Sequence, residues 1–123
     1  MIRNVELRDA EDIAKIYNYY IRETIITFET EEIDSIEMEK RIKKTQDLNY
    51  PFIVYEENNK IIGYAYVGIW RERNAYKDTL ETSIYIDTDQ KTKGIRRKLY
   101  KRLIALSEEI GAHVLIGVVS YSK

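Results

Sequence analysis

Cysteine is absent from the 123 residues, and histidine is nearly so, with His113 the single example. Without cysteine there is no disulfide, no thiolate nucleophile and no cysteine metal site, and a multi-histidine metal centre or a Ser-His-Asp triad is hard to build. No metal is therefore expected. Proline occurs once and glycine five times, so most of the chain should be regular structure. A charge of one sign is lacking too: 20 Lys and Arg face 21 Asp and Glu, a net charge of -1 that exerts no global pull on nucleic acid or anionic lipid. No apolar run approaches the ~20 residues of a membrane-spanning helix. The opening Met1-Ile2-Arg3-Asn4-Val5-Glu6 lacks the apolar core of a secretory signal. A cytoplasmic protein is the expectation, with no membrane and no nucleic-acid partner.

What is present is an ordinary globular balance, 44% hydrophobic and 33% charged, in one domain spanning 1–123 with a modest core. Met1 to Val5 reads as a short strand. Asp9 is expected to cap a helix whose Ile13, Ile16, Tyr17, Tyr20 and Ile21 share one face. A second helix should begin at Asp34, with Glu37 completing a capping box and Ile33 stapled against Met38. Phe52 to Tyr55 and Ile61 to Trp70 flank Asn58-Asn59, a hairpin signal, because asparagine tolerates positive φ. Thr79 to Ile86 alternates, with Leu80, Thr82, Ile84 and Ile86 on one face and Glu81, Ser83 and Tyr85 on the other. A helix after Gly94 carries Ile95, Leu99, Leu103, Leu106 and Ile110 and ends at Gly111. Val114 to Val119 is a continuous apolar strand, so both its faces should be covered. Strand, helix, strand at this spacing predicts a parallel pair. The fold class is α/β, an α+β layer with a mixed, mostly antiparallel sheet and helices on both faces.

Three features can carry chemistry. The turn Asp89 to Arg97 opens a helix, where unpaired N–H groups and the helix dipole suit a phosphate, and Lys91, Lys93, Arg96 and Arg97 add charge. A solvated basic helix start explains the same residues, and one glycine does not specify a nucleotide site. Glu81 is a carboxylate within a strand, costly there unless it is paired or faces a cleft. Partial burial would raise its pKa toward the range of a general base. Periodicity alone favours a surface Glu on the solvated face of an edge strand. Eleven tyrosines form the third feature. Tyr17, Tyr19 and Tyr20 read as helix core and margin, Tyr76 and Tyr100 as packing near the candidate site, and His113 as a satisfied structural histidine.

The stretch Trp70 to Ile86, with Arg73-Asn74-Ala75-Tyr76, Thr79-Leu80-Glu81 and Ile84-Tyr85-Ile86, resembles the phosphinothricin acetyltransferase group of the GNAT superfamily. Ile2-Arg3-Asn4, Ile13 to Asn18, Thr27 to Glu31, Leu99-Tyr100 and Gly111 to Val114 extend the resemblance from Ile2 to about Val119. It implies a GNAT fold in which acetyl-CoA inserts between two splayed parallel strands, here Thr79 to Ile86 and Val114 to Val119. Backbone groups of Ile84, Tyr85 and Ile86 would pair with the pantetheine arm. The turn made by Thr92, Lys93, Gly94, Ile95, Arg96 and Arg97 would cradle the pyrophosphate. Glu81 would act as general base, through water, on the ammonium of a small-molecule amine such as an amino acid or a phosphinothricin-like analogue. Phe28, Arg73 and Tyr76 match acceptor-pocket positions. The group tends to form dimers, and a homodimer is expected.

Two departures accompany the resemblance. Arg96 stands where the cofactor loop has a small residue, which predicts weaker cofactor binding. Relatives also continue past the strand at Val119 with a further helix and strands, so a partial domain is expected, and no general acid is assigned. A catalytically inactive relative acting as a CoA-binding or structural module is the alternative reading. Binding of nucleic acid or an acidic partner by Arg96, Arg97, Lys98, Lys101 and Arg102 is a third, which a solvated helix face explains better.

Overall fold

A computed structural model describes residues 1–23, 31–69, 79–87, 94–110 and 114–119, with residues 69, 79, 80 and 114–119 described through their backbone. The strands are β1 (Ile2–Asn4), β2 (Phe52–Glu57), β3 (Lys60–Ile69), β4 (Thr79–Ile86) and β5 (Val114–Val119), and the helices are α1 (Ala10–Glu23), α2 (Ser35–Asp47) and α3 (Ile95–Glu109). The strand order is β1-β2-β3-β4-β5, antiparallel except for the parallel β4–β5 pair. The mixed sheet with one parallel join is the one the strand–helix–strand spacing predicts.

Helices cover both faces. On one, Ile13, Ile16, Tyr17 and Tyr20 of α1 and Met38 and Ile42 of α2 pack on Phe52, Val54, Tyr64 and Tyr85. On the other, Ile95, Leu99 and Leu103 of α3 pack on Ile53, Ile62, Ala65, Val67, Ile84 and Ile86. β2, β3 and β4 therefore send alternate side chains to two cores, the period-2 consequence of an interior strand. Gly63 permits the close approach of α3: a Cβ there would stand 2.9 Å from Ile86 Cδ1 and 3.3 Å from Leu99 Cδ1. The β2–β3 turn holds Asn58 and Asn59 at φ 54° and 62°, the mirror-image geometry that a two-residue hairpin needs.

Local expectations fared unevenly. Asp34 caps α2 by accepting the Glu37 N–H at 2.8 Å, but Glu37 does not close a box; its carboxylate takes the Arg41 Nε–H at 3.0 Å. Ile33 and Met38 do join the same apolar cluster. Asp9 is not a simple cap of α1. It ends a 3-10 turn, Leu7–Asp9, and its buried carboxylate accepts two bonds from the Arg3 guanidinium, at 2.8 and 2.9 Å, and one from the Glu6 N–H. A charge-assisted fork outcompetes a backbone cap for a carboxylate with so little water. The buried stripe of α3 runs Ile95, Leu99, Leu103, Ser107 in steps of four, and Ile110 is exposed. Ser107 stays inside by donating its hydroxyl to the Leu103 carbonyl at 2.8 Å. Trp70, Gly111 and His113 lie outside the described residues, as do the side chains of β5 on which two-sided burial was expected.

Candidate active site

Glu81 lies in β4, which sits between β3 and β5 rather than at an edge; its ladder partners are Gly68 and Ile116. That removes the edge-strand reading. The carboxyl is half-buried, and burial pushes its pKa above the ordinary carboxylate value. Among the described residues nothing bonds or pairs with it, so the desolvation is uncompensated.

The alternation that puts Glu81 on the face of Ser83 and Tyr85 puts it on the side covered by α1 and α2. Tyr85 is fixed there by Tyr17 and Tyr20, which meet its ring edge-on at 5.5 and 5.1 Å, and by Tyr64, stacked at 5.2 Å. On the same side a cavity of about 280 Å³ opens between α2 and the sheet. Its floor is a run of stacked rings, Phe52–Tyr66 at 5.0 Å and Tyr64–Tyr66 at 6.3 Å, and Arg41 and Lys44 of α2 line it with positive charge. Gly68 closes the row and pairs directly with Glu81. A Cβ at Gly68 would meet nothing within 4 Å among the described residues. Glycine inside a strand often marks a close approach by a ligand, and here the missing side chain leaves a notch between the cavity and the carboxylate.

The far end of β4 supplies a different surface. The Asp87 N–H donates to the Ile62 carbonyl at 2.9 Å, which makes 62/87 a hydrogen-bonded pair and Gly63/Ile86 the wide one. By alternation the Tyr85 N–H and C=O belong to the β3 ladder, whereas those of Ile84 and Ile86 point toward β5. The β4–β5 ladder stops at Ile84–Val119. Of the three residues expected to offer backbone to the cofactor, Tyr85 is thus engaged by β3 and Ile84 by β5, whereas Ile86 lies past the point where the parallel strands separate. Beyond it Gly94 caps the start of α3, held at φ 69° in the left-handed region that favours glycine. The first-turn amides of Ile95, Arg96 and Arg97 precede the Lys98 N–H to Gly94 C=O bond, so the turn presents donors and the positive dipole end. A Cβ at Gly94 would meet nothing within 4 Å among the described residues. Arg96 is half-buried, and its charge reaches the Tyr20 phenol: burial pushes that pKa up, while the bond to Ile86 and then Arg96 pull it back. Arg97, Lys98, Lys101 and Arg102 are exposed on the outer face of α3. A backbone edge in line with a helix N-terminus is a frame that fits an extended amide chain ending in a pyrophosphate.

A family model described as an acetyltransferase (GNAT) domain matches residues 2–121. The chain belongs to the GNAT acetyltransferase family. An L-amino acid N-acyltransferase of Escherichia coli K12 is 33% identical over 123 residues, covering 99% of this chain and 72% of that protein. A phosphinothricin N-acetyltransferase of Alcaligenes faecalis is 38% identical over 107 residues, 87% of this chain and 54% of that protein. A GNAT phosphinothricin acetyltransferase of Sinorhizobium meliloti, solved in complex with acetyl-CoA, superposes with a TM-score of 0.90 at 29% identity over 95% of this chain and 64% of that one. The chain thus spans between about half and three quarters of these relatives' lengths.

Within this GNAT frame the structure brings Glu81, Ile84, Tyr85, Ile86, Gly94, Ile95, Arg96 and Arg97 along β4 and the start of α3. Thr92, Lys93, Phe28, Arg73 and Tyr76 lie outside the described residues. The Gly68 notch, the Tyr64–Tyr66 floor, Arg41, Lys44 and the Tyr20 hydroxyl were not singled out by sequence reasoning. An isolated glycine in a strand was the available signal for Gly68. Among the described residues no group of three or more His, Cys, Asp or Glu could hold a metal ion, and no helix is long and apolar enough to cross a membrane.

Proposed function

We propose that this chain moves an acetyl group from acetyl-CoA to the primary amine of a small molecule with an anionic group, an amino acid or a phosphinothricin-like acid. The observation that carries the reading is Glu81, a desolvated carboxylate with no partner among the described residues, in an interior strand beside a notch that opens on an aromatic cavity. A carboxylate in that state takes a proton more readily than one in water, which suits it to draw a proton from an ammonium, directly or through one water. The neutral amine is then the nucleophile. When bound, acetyl-CoA supplies the activated acyl group as a thioester. Ile86, past the end of the β5 ladder, would hold its pantetheine arm, and the turn from Thr92 to Arg97 its pyrophosphate. The ring floor suits the apolar part of the acceptor, while Arg41 and Lys44 suit its anionic group, beside the expected Phe28, Arg73 and Tyr76. The acyltransferase and acetyltransferase relatives support the same chemistry.

The test is thiol release from acetyl-CoA by the purified chain against a panel of amino acids, phosphinothricin and uncharged amines. Acetylation of acidic acceptors in preference to uncharged amines of equal size supports the reading; no acetylated product from any amine sinks it. A two-fold homodimer in the cytoplasm completes the proposal.

A further inference from the structure

Tyr20 presents an anomaly for a core residue. Its side chain is fully buried at 0% exposure, and its ring is packed by Tyr19 and Tyr85, yet its hydroxyl reaches across to β4. There it donates to the Ile86 carbonyl at 2.8 Å and accepts from the Ile86 N–H at 3.4 Å. One hydroxyl thus serves both backbone groups of a single strand residue, the pair that a neighbouring strand would normally serve. Ile86 needs such help because the β4–β5 ladder ends at Ile84 while β4 runs on two residues further. Buried backbone groups left without partners are costly, and the hydroxyl covers that cost in the free protein.

The same two groups are what an incoming extended amide chain would use to add itself to β4. We propose that the Tyr20 hydroxyl is a built-in plug of the cofactor edge, which acetyl-CoA must displace from Ile86 in order to bind. This rests on the cofactor reading above and extends it: affinity for the cofactor is set partly by a self-made bond that has to break first. Arg96, on the adjoining first turn of α3, acts electrostatically on the same hydroxyl, so the plug and the phosphate-facing turn form one neighbourhood.

The consequence runs opposite to that of an ordinary binding residue. Tyr20→Phe keeps the ring and removes the plug, leaving the Ile86 groups without a partner among the described residues until CoA binds. The free protein should melt at a lower temperature, and CoA should bind about tenfold tighter, the equivalent of one hydrogen bond. Calorimetric titration of the full chain with CoA reads the affinity and a thermal scan reads the melting temperature, each for wild type against Tyr20→Phe. A tyrosine that merely packs would lower the melting temperature and leave CoA affinity unmoved. Should Tyr20→Phe fail to fold, Tyr20→Met is the second variant, because Met adapts to irregular core space without a hydroxyl. Tighter binding in either variant supports the plug. Equal or weaker binding overturns it and leaves the cofactor reading standing, whereas no CoA binding by wild type or variant overturns both.

Discussion

Glu81 concentrates two opposed demands in one side chain. Its desolvated carboxylate is useful for proton transfer and unfavourable for folding, and both follow from the raised pKa. The folded state binds the proton more tightly than the unfolded chain does, so stability falls as pH rises through the window between the ordinary Glu value and the raised one. Glu81→Gln removes the titration. Turnover should fall by about 10²–10⁴-fold at neutral pH, the usual contribution of a positioned base, with CoA affinity held. The variant should also melt at or above the wild-type temperature at pH 7, with the difference vanishing in acid where the wild-type carboxyl is protonated. Rate and melting temperature measured across pH test both halves. A variant as active as the wild type removes Glu81 from the mechanism, and one that melts lower at neutral pH contradicts the desolvation account.

At the scale of elements, what the sequence made legible was what repeats. β4 and β5 have the bounds that alternation and continuous apolarity predict, and the Asn58-Asn59 hairpin follows from turn chemistry. The illegible parts are pairings between distant segments. Arg3 shows this best: it was noted only as part of a resemblance, yet it ties three segments together, with Asp9 of the 3-10 turn held by a two-pronged bond and Glu56 of β2 by Nε at 2.9 Å. Local reading gave Asp9 to α1 because a cap is visible within four residues and a partner folded against it is not. The site divides in the same way. Glu81 was visible as a misplaced carboxylate, whereas the notch at Gly68 exists only because β3 lies beside β4. Burial alone would push the Asp9 carboxyl up, but the Arg3 fork and the Glu6 N–H outweigh it and hold it below its ordinary 3.8. A depressed carboxyl contributes stability that is present above that unfolded value and is lost as pH falls through the folded one. Arg3→Ala should cost about 2–3 kcal/mol at pH 7 by stranding a buried carboxylate, and should flatten the acid limb of the stability curve. Denaturant melts at pH 7 and at pH 3 check it; an equal loss at both would show that the charge on Asp9 is irrelevant.

On the scale of the whole molecule, the question is how the sheet ends. The strand order places β1 and β5 at the two margins of the described sheet. β1 is three residues long and bonded along one side to β2, and so short an edge offers little to another chain. β5 is six residues, all of them Val, Leu, Ile or Gly, with β4 on its inner side and no strand on its outer side among the described residues. An apolar edge of that length presents a row of N–H and C=O groups, and natural proteins cover such edges. The homodimer proposed above fits this asymmetry, because a two-fold axis beside β5 would let each copy cover the other's edge. Association should then stabilise the fold by mass action, with the melting temperature rising with protein concentration. Light scattering at micromolar concentration should give twice the chain mass of 14.7 kDa, and dilution should lower both the mass and the melting temperature together. A mass of one chain at every concentration, with a melting temperature that does not move, would leave the β5 edge to be covered from within the chain and would end the dimer proposal.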